Sequence, residues 1–131
     1  MTKRELIMEA IESLGYKPGI DEDGDVYVRY QMKIIYFIVG KEDEQFVSVV
    51  YPQFVDIEDG EDALTLATCN KMSREMKFVK VFIGYELKSV SASCDFFYTD
   101  MECMKINVEH SLNILGIIRS TYLKTKAELS E

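Results

Sequence analysis

The sequence has few of the residues that metal, redox and nucleophilic chemistry use. Its 131 residues include three cysteines and one histidine. The cysteines are odd in number, widely spaced and without a CxxC pair, which argues against a disulfide framework and against a zinc site. Cys103 and His110 lie two helical turns apart, a distance of about 10 Å, so they cannot form a catalytic pair on one helix.

Excess positive charge and long apolar runs are also missing. Asp and Glu number 23 against 15 Lys and Arg, which gives a formal charge of -8. That balance disfavours nucleic acid and anionic membranes as partners. No run approaches the roughly 18 apolar residues of a membrane helix, and the charged N-terminus does not resemble a signal peptide. We therefore expect a cytoplasmic protein with no nucleic-acid and no membrane partner.

Signatures of catalysis and nucleotide binding do not occur. The chain has no GxGxxG, GxxxxGKS/T, GxSxG or HExxH. The acidic stretch Asp21–Asp25 suggests a calcium loop, but Val26 and Met32 occupy the positions where an EF-hand needs glycine and glutamate. We interpret it as an acidic turn. The sequence thus predicts no catalytic residue, no cofactor and no metal.

Hydrophobic periodicity predicts three helices and five strands in one domain that spans residues 1–131. The first helix, 3–14, begins with a capping-box pattern at Thr2 and Glu5 and ends before Gly15. The other helices are predicted at 60–76 and 101–127. The strands are the segments VYVRY, KIIYFIVG, FVSVVYPQF, KFVKVFIGY and SVSASCDFF.

The order of these elements, α-β-β-β-α-β-β-α, indicates an α+β fold in which helices pack on one face of a five-stranded antiparallel sheet. The first three strands read as a meander and the last two as a hairpin. Pro52 cannot donate to a ladder, so it marks an edge, a bulge or the end of the third strand. The last strand alternates apolar residues with Ser89, Ser91, Ser93 and Asp95, which predicts one wet face.

The second helix carries an unexpected polar residue. Its helical wheel predicts an inward face that includes Asn70 together with Ala63, Leu66, Ala67, Cys69, Ser73 and Met76. A buried amide must find hydrogen-bond partners. We therefore expect Asn70 to have a structural role, with ligand binding as the alternative.

The third helix carries two apolar stripes instead of one. Residues expected to face the sheet are Met104, Val108, Leu112, Leu115, Ile118 and Tyr122. A second stripe lies about 150° away on the helical wheel and consists of Cys103, Ile106, His110, Ile114 and Ile117. Either the first helix covers this second stripe, or the second stripe binds a partner.

The element order and the segment CNKMSREMKFVKVFI resemble the YbjN-like family of bacterial sensory transduction regulators, whose fold is similar to that of type III secretion chaperones. The family pattern xNxxNxxxxxxKFxxx is matched in part by Asn70 and by Lys77 with Phe78. Ser73 departs from it at the position of a second asparagine, which leaves open whether the same polar network forms. The similarity covers about 3–127 and includes the Leu14–Tyr30 region.

The resemblance implies a non-enzymatic, chaperone-like module or regulatory adaptor that binds another protein, with no catalytic residues to carry over and with a homodimer as one arrangement. Contact through the second stripe or through an exposed sheet edge is our leading hypothesis. The alternatives are a small-molecule-binding domain, or an unrecognised enzyme, with a pocket between the sheet and the helices. A purely structural homo-oligomer is a third alternative.

Overall fold

The computed structural model describes Met1–Glu131 and contains every predicted helix and strand, with one strand added. The elements are α1 Lys3–Ser13, β1 Gly19–Ile20, β2 Val26–Tyr30, β3 Lys33–Ile38, β4 Phe46–Asp56, α2 Asp62–Glu75, β5 Val79–Ile83, β6 Ser89–Phe97 and α3 Met101–Leu129. The α+β class is confirmed. The sheet has six strands rather than the predicted five.

The additional strand, β1, is too short to leave a periodic signal. Its two residues pair with β2, placing Gly19 opposite Tyr27. A β-carbon on Gly19 would lie 2.4 Å from the Tyr27 ring, so the missing side chain allows that ring to lie against the strand. The strand depends on this close approach, which a pattern of apolar residues does not encode.

The sheet is antiparallel, with the order β1-β2-β3-β4-β6-β5. The predicted meander is β2-β3-β4 and the predicted hairpin is β5-β6. The two units join where β4 pairs with β6, and the register shifts between Tyr51 and Val55. Pro52 lies within this shift, so of the three alternatives for it the bulge is the correct one, on a central strand.

All three helices lie on one side of the sheet, where the core forms. The predicted sheet-facing stripe of α3 is fully buried, from Met104 to Tyr122. It belongs to one hydrophobic core with the strand residues that alternate with the outward ones, namely Val26, Val28, Ile35, Phe37, Val47, Val49, Ala92, Cys94 and Phe96. The α3 backbone approaches β2 closely, because a β-carbon on Gly116 would lie 2.9 Å from the Tyr30 ring.

Hydrogen bonds hold the first turn of α1 in place. Thr2 and Glu5 form the predicted capping box. Lys3 is 2% exposed, and its ammonium donates to the carbonyls of Val39 and Phe46 at 2.6 and 2.9 Å. These carbonyls belong to the end of β3 and the start of β4, where the two strands separate. The lysine therefore supplies donors that the ladder lacks at this point.

The second helix is rotated relative to its prediction. The residues on its buried face are Thr65, Thr68, Cys69 and Met72. Four residues that were expected to face inward are exposed instead, namely Ala63, Leu66, Ala67 and Asn70. The two threonine hydroxyls donate to carbonyls four residues earlier, at 2.7 Å, which makes their burial inexpensive. The predicted inward position of Asn70 is thus wrong.

The serine side chains of β6 are also less exposed to solvent than predicted. Ser89, Ser91 and Ser93 are 9%, 7% and 3% exposed, although no helix lies over them. They are short side chains on a central strand, and the larger side chains of β4 and β5 rise on both sides. The prediction of a wet face is wrong for the three serines. Strand alternation predicts the face of the sheet on which a residue lies, but not how much the side chains of the adjacent strands shield it from water.

Candidate functional site

The face of the sheet opposite the helices carries no packed element, and we call it the open face. Its side chains are those that alternate with the core residues along β2 to β6. They are Tyr27, Arg29, Ile34, Tyr36, Ile38, Phe46, Ser48, Val50, Lys80, Phe82, Ser89, Ser91, Ser93, Asp95 and Phe97. Apart from Ser89, Ser91 and Ser93, these residues are partly or largely exposed. The chain therefore leaves one whole side of its sheet available.

Aromatic residues form two pairs on the open face, one on each side of the row that contains Ser48 and Asp95. The rings of Phe46 and Phe97 lie 4.9 Å apart between centroids, and those of Tyr27 and Tyr36 lie 6.4 Å apart. Phe97 is 75% exposed. Aromatic side chains contribute large contact areas, and a contiguous exposed apolar patch marks an interaction site. Because the rings sit on paired strands, the sheet holds them in fixed positions.

Polar groups form a second part of the open face, along β6. The Ser48 hydroxyl donates to one carboxylate oxygen of Asp95 at 2.6 Å. The other oxygen of Asp95 lies 3.0 Å from the Lys80 ammonium. The Ser91 hydroxyl accepts a hydrogen bond from the Gln53 backbone at the bulge. The charged and hydroxyl groups of Ser48 and Asp95 thus lie between the two aromatic pairs.

Sequence reasoning did not identify the open face as a site. A signal was present, because the outward positions of VYVRY and KIIYFIVG hold Tyr27, Ile34, Tyr36 and Ile38 where a solvated strand would place polar residues. Near-continuous apolar character means that both faces of a strand avoid water. It does not tell whether a helix or a partner covers the second face.

At the centre of the edge strand β5, the outward-facing backbone groups already have a hydrogen-bonding partner. The Ser73 hydroxyl accepts a hydrogen bond from the Val81 N–H at 2.9 Å and contacts the Val81 carbonyl at 3.3 Å. These backbone groups point away from β6 and are the ones that an added strand would use. The other edge consists of the two-residue strand β1 and of residues 28–30 of β2, with which β1 does not pair. Addition of a client strand at β5 is therefore disfavoured.

The second stripe of α3 is only partly covered. Ile106 and Ile117 are 50% and 53% exposed, and His110 is exposed as well. Cys103 and Ile114 are partly buried against the core. The alternative in which α1 covers the whole stripe is therefore wrong. The exposed isoleucines stand eleven residues apart, about 16 Å along the helix, so they form two separate apolar points.

Cavities lie between the helices and the sheet, as the small-molecule alternative requires. One, between α3 and β4, measures about 350 Å³ and is lined by Gln53, Phe54, Val55, Asp56, Glu58, Arg119, Leu123 and Lys126. Another measures about 220 Å³ and is lined by Leu14, Tyr16, Tyr30, Glu109, Leu112 and Asn113. Pockets that enclose a typical organic ligand measure about 300 to 1,000 Å³. Burial raises the pKa of Tyr30, whose hydroxyl donates to the Asn113 side chain at 3.5 Å. The 220 Å³ cavity is smaller than this range, and four of its six lining residues carry polar side-chain atoms. The 350 Å³ cavity is at the lower end of the range.

The thiols are not arranged for nucleophilic chemistry. Burial raises the pKa of Cys94 to about 12 and that of Cys69 to about 11. The thiolate is the reactive form, so both stay protonated and inert near neutral pH. His110 lies on the exposed side of α3, away from the buried thiols.

The acidic turn brings three carboxylates together. The side-chain oxygens of Asp21, Asp23 and Asp25 lie within 4.8 Å of one another. Asp21 accepts hydrogen bonds from the backbone N–H groups of Asp23 and Asp25. Asp25 in turn accepts one from the Val39 backbone at 2.9 Å. Two of the carboxylates thus shape the turn and join it to the end of β3.

The fold and the open face together define a class of protein: a binding module with helices behind a sheet whose other face is free. The family described as "T3SS (YopN, CesT) and YbjN peptide-binding chaperone 1" matches residues 2–108. The chain belongs to this family, which confirms the resemblance to YbjN-like proteins. It is a family of chaperone-type binding domains and not an enzyme family. No curated protein matches the chain.

The matched region bears on the choice of site. Residues 2–108 include the whole sheet, α1 and α2, but only the beginning of α3. The open face is therefore entirely within the family region. Of the second stripe, Cys103 and Ile106 lie inside this region, while His110, Ile114 and Ile117 lie beyond it. No helix of the chain is both long and apolar enough to cross a membrane.

Proposed function

We propose that this protein is a non-enzymatic, chaperone-like module that binds an extended segment of a client protein on its open face. The single observation that carries the proposal is the uncovered sheet with its paired aromatic rings, Phe46 with Phe97 and Tyr27 with Tyr36. The family's description as peptide-binding supplies the chemistry of the partner.

The dimensions of the open face suit a short extended peptide. The five strands β2 to β6, at a spacing of about 4.8 Å, give the open face a width of about 19 Å. An extended segment of about six residues, at about 3.3 Å per residue, spans that width. Every second side chain of the segment would point at the sheet. Apolar side chains at those positions would bury Phe97 and the neighbouring rings, which water now contacts.

Contact through the face is favoured over contact through an edge. At β5 the backbone N–H and carbonyl of Val81 are already engaged by Ser73. A client strand would have to displace that hydroxyl and part of α2. Binding on the face needs no such rearrangement, because the rings are held by the sheet and exposed beforehand.

The second stripe of α3 is a proposed additional contact with the client. Its exposed part consists of Ile106, His110 and Ile117. A client longer than the segment on the sheet would reach it by passing around the molecule. A cytoplasmic location, which the sequence predicts, and a homodimer, which is one arrangement that the resemblance implies, stay predictions.

The test compares peptide binding by variants of the open face and of another exposed apolar position. The probes are fluorescent peptides of about twelve residues in which leucine alternates with serine. We expect the double variant Tyr36→Ser/Phe97→Ser to bind at least about tenfold more weakly than wild type, because it removes two aromatic contacts. Circular dichroism would verify that the variant is folded.

Leu66→Ser is the matched control. Leu66 is 60% exposed on α2, on the far side of the molecule from the open face. Its replacement removes a comparable apolar side chain and should leave the affinity unchanged. Undiminished binding by the Tyr36→Ser/Phe97→Ser variant would overturn the proposal, as would a selective loss in Leu66→Ser.

A further inference from the structure

The floor of the open face contains a buried hydroxyl with no hydrogen-bond partner. Ser93 is 3% exposed, and its hydroxyl oxygen is the one buried side-chain polar atom of the chain that lacks a partner. A folded chain pays a free-energy cost for such a group, and the cost needs an explanation. Ser93 faces away from the core, between Val50 on β4 and Lys80 on β5.

Lys80 is the side chain that closes over Ser93. It is directly opposite Ser93 in the register of β5 and β6. Its ammonium nevertheless lies 3.0 Å from Asp95, two residues further along β6, so the side chain extends from the level of Ser93 towards Asp95. The lysine side chain is 62% exposed. An ion pair this exposed contributes little to stability, so Lys80 is easily displaced.

The carboxylate beneath this lysine is held in a fixed orientation. Ser48 donates to one oxygen of Asp95 at 2.6 Å, and the side chain of Asp95 is only 26% exposed. Removal of Lys80 would leave a partly buried negative charge beside the free Ser93 hydroxyl. The Lys80 ammonium has another favourable position nearby, since it already lies 5.7 Å from the centroid of the Phe82 ring.

We propose that Asp95, with Ser48 and Ser93, is a subsite that binds a lysine or arginine side chain of the client peptide, which takes the place of Lys80. This inference rests on the proposed function and specifies its partner. The incoming cation donates to the Asp95 carboxylate and to the Ser93 hydroxyl, which then gains its missing partner. Apolar residues on both sides of the cation contact Tyr36 with Val50 and the exposed ring of Phe97.

The charge of the whole chain agrees with a basic client segment. A formal charge of -8 attracts cationic peptides and repels acidic ones before contact. Lys80 keeps Asp95 paired while no peptide is bound. It therefore competes with the cation of the peptide for Asp95, which a purely structural ion pair would not do.

The experiment uses three peptides that differ only at their centre, where the alternating leucine-serine probe carries lysine, norleucine or glutamate. We expect wild type to bind the lysine peptide about tenfold more tightly than the norleucine peptide, and the glutamate peptide least. Asp95→Asn should abolish the preference for lysine while binding of the norleucine peptide persists. Lys80→Ala should bind the lysine peptide more tightly than wild type does, because the competitor is gone.

The possible failures are distinguishable. Equal affinity of wild type for the lysine and norleucine peptides would overturn the basic subsite and leave the proposed function intact. Tightest binding of the glutamate peptide, or weaker lysine-peptide binding by Lys80→Ala, would overturn it too, because Lys80 would then be the recognition group. If Asp95→Asn does not fold, Ser48→Ala with Ser93→Ala replaces it and should reduce the lysine preference. Binding of none of the three peptides would overturn the proposed function itself.

Discussion

The hydroxyl of Ser73 on α2 accepts a hydrogen bond from the Val81 N–H and contacts the Val81 carbonyl of the edge strand β5. One side chain thereby engages both backbone groups that β5 presents outward at its centre. The contact also joins α2 to the sheet, next to the buried face of that helix. It explains how a helix residue can protect an edge against unwanted pairing.

Loss of this hydroxyl should weaken the fold. We expect Ser73→Ala to lower the free energy of unfolding by about 1–3 kcal/mol, because the Val81 N–H and carbonyl lose their partner. Urea denaturation would measure the change. Ser120→Ala is the matched control, since Ser120 is exposed on α3 and bonds only within its own helix. Equal stability of the two variants would contradict the closing role of Ser73.

Gly116 should resist replacement by alanine although it lies within a helix. Alanine has the higher helix propensity by about 1 kcal/mol, which on its own would stabilise α3. A β-carbon there would lie 2.9 Å from the Tyr30 ring, however, so α3 or β2 has to move. We expect Gly116→Ala to lower the melting temperature, because overpacking costs about 1–3 kcal/mol. The exposed position Lys124→Ala provides the comparison, and a higher melting temperature for Gly116→Ala would contradict the close contact.

Alkaline pH should destabilise the protein through its buried thiols. Burial raises the pKa of Cys94 from 9.0 to about 12, so the folded chain retains a proton that the unfolded chain releases. The stabilisation is complete below pH 9 and falls as the pH rises from about 9 to about 12. Urea denaturation at about pH 8 and about pH 10.5 should show a smaller loss of stability in Cys94→Ala than in wild type. Equal losses would mean that the folded thiol ionises normally.

Substitution of the second α3 stripe should affect association more than folding. Ile106 and Ile117 are half exposed, so their replacement by serine removes little core packing. We expect Ile106→Ser/Ile117→Ser to keep its melting temperature within a few degrees of wild type, since surface substitutions change stability by about 0.5 kcal/mol. A pull-down from the native host should lose a client that wild type retains. A large fall in melting temperature, with association unchanged, would assign the stripe to the core.

The sequence predicts best those parts of the fold that depend only on residue spacing and on hydrogen bonds between neighbouring residues. The sheet-facing stripe of α3 and the capping box of α1 follow from spacing and from local hydrogen bonding. The predicted inward face of α2 is wrong because it leaves out Thr65 and Thr68, which are buried. Their hydroxyls bond within the helix, so these residues pack inward and rotate Asn70 outward.

The candidate site is harder to predict because it depends on neighbours across the sheet. Alternation along β6 places Ser93 and Asp95 on one side, but the burial of Ser93 depends on Val50 and Lys80 from other strands. Strand order brings these residues together, and a single strand's pattern does not contain that order. The free hydroxyl of Ser93 thus becomes visible only in three dimensions.

The central claim is that peptide binds on the open face, and isoleucine methyl groups report on it directly. Ile34 and Ile38 lie on the open face, while Ile106 and Ile117 lie on α3. An NMR titration of methyl-labelled protein with the lysine-centred peptide observes both pairs in one spectrum. Saturable shifts of Ile34 and Ile38, with Ile106 and Ile117 unmoved, are the predicted result. Shifts confined to Ile106 and Ile117 would contradict the account and place the client on the helix.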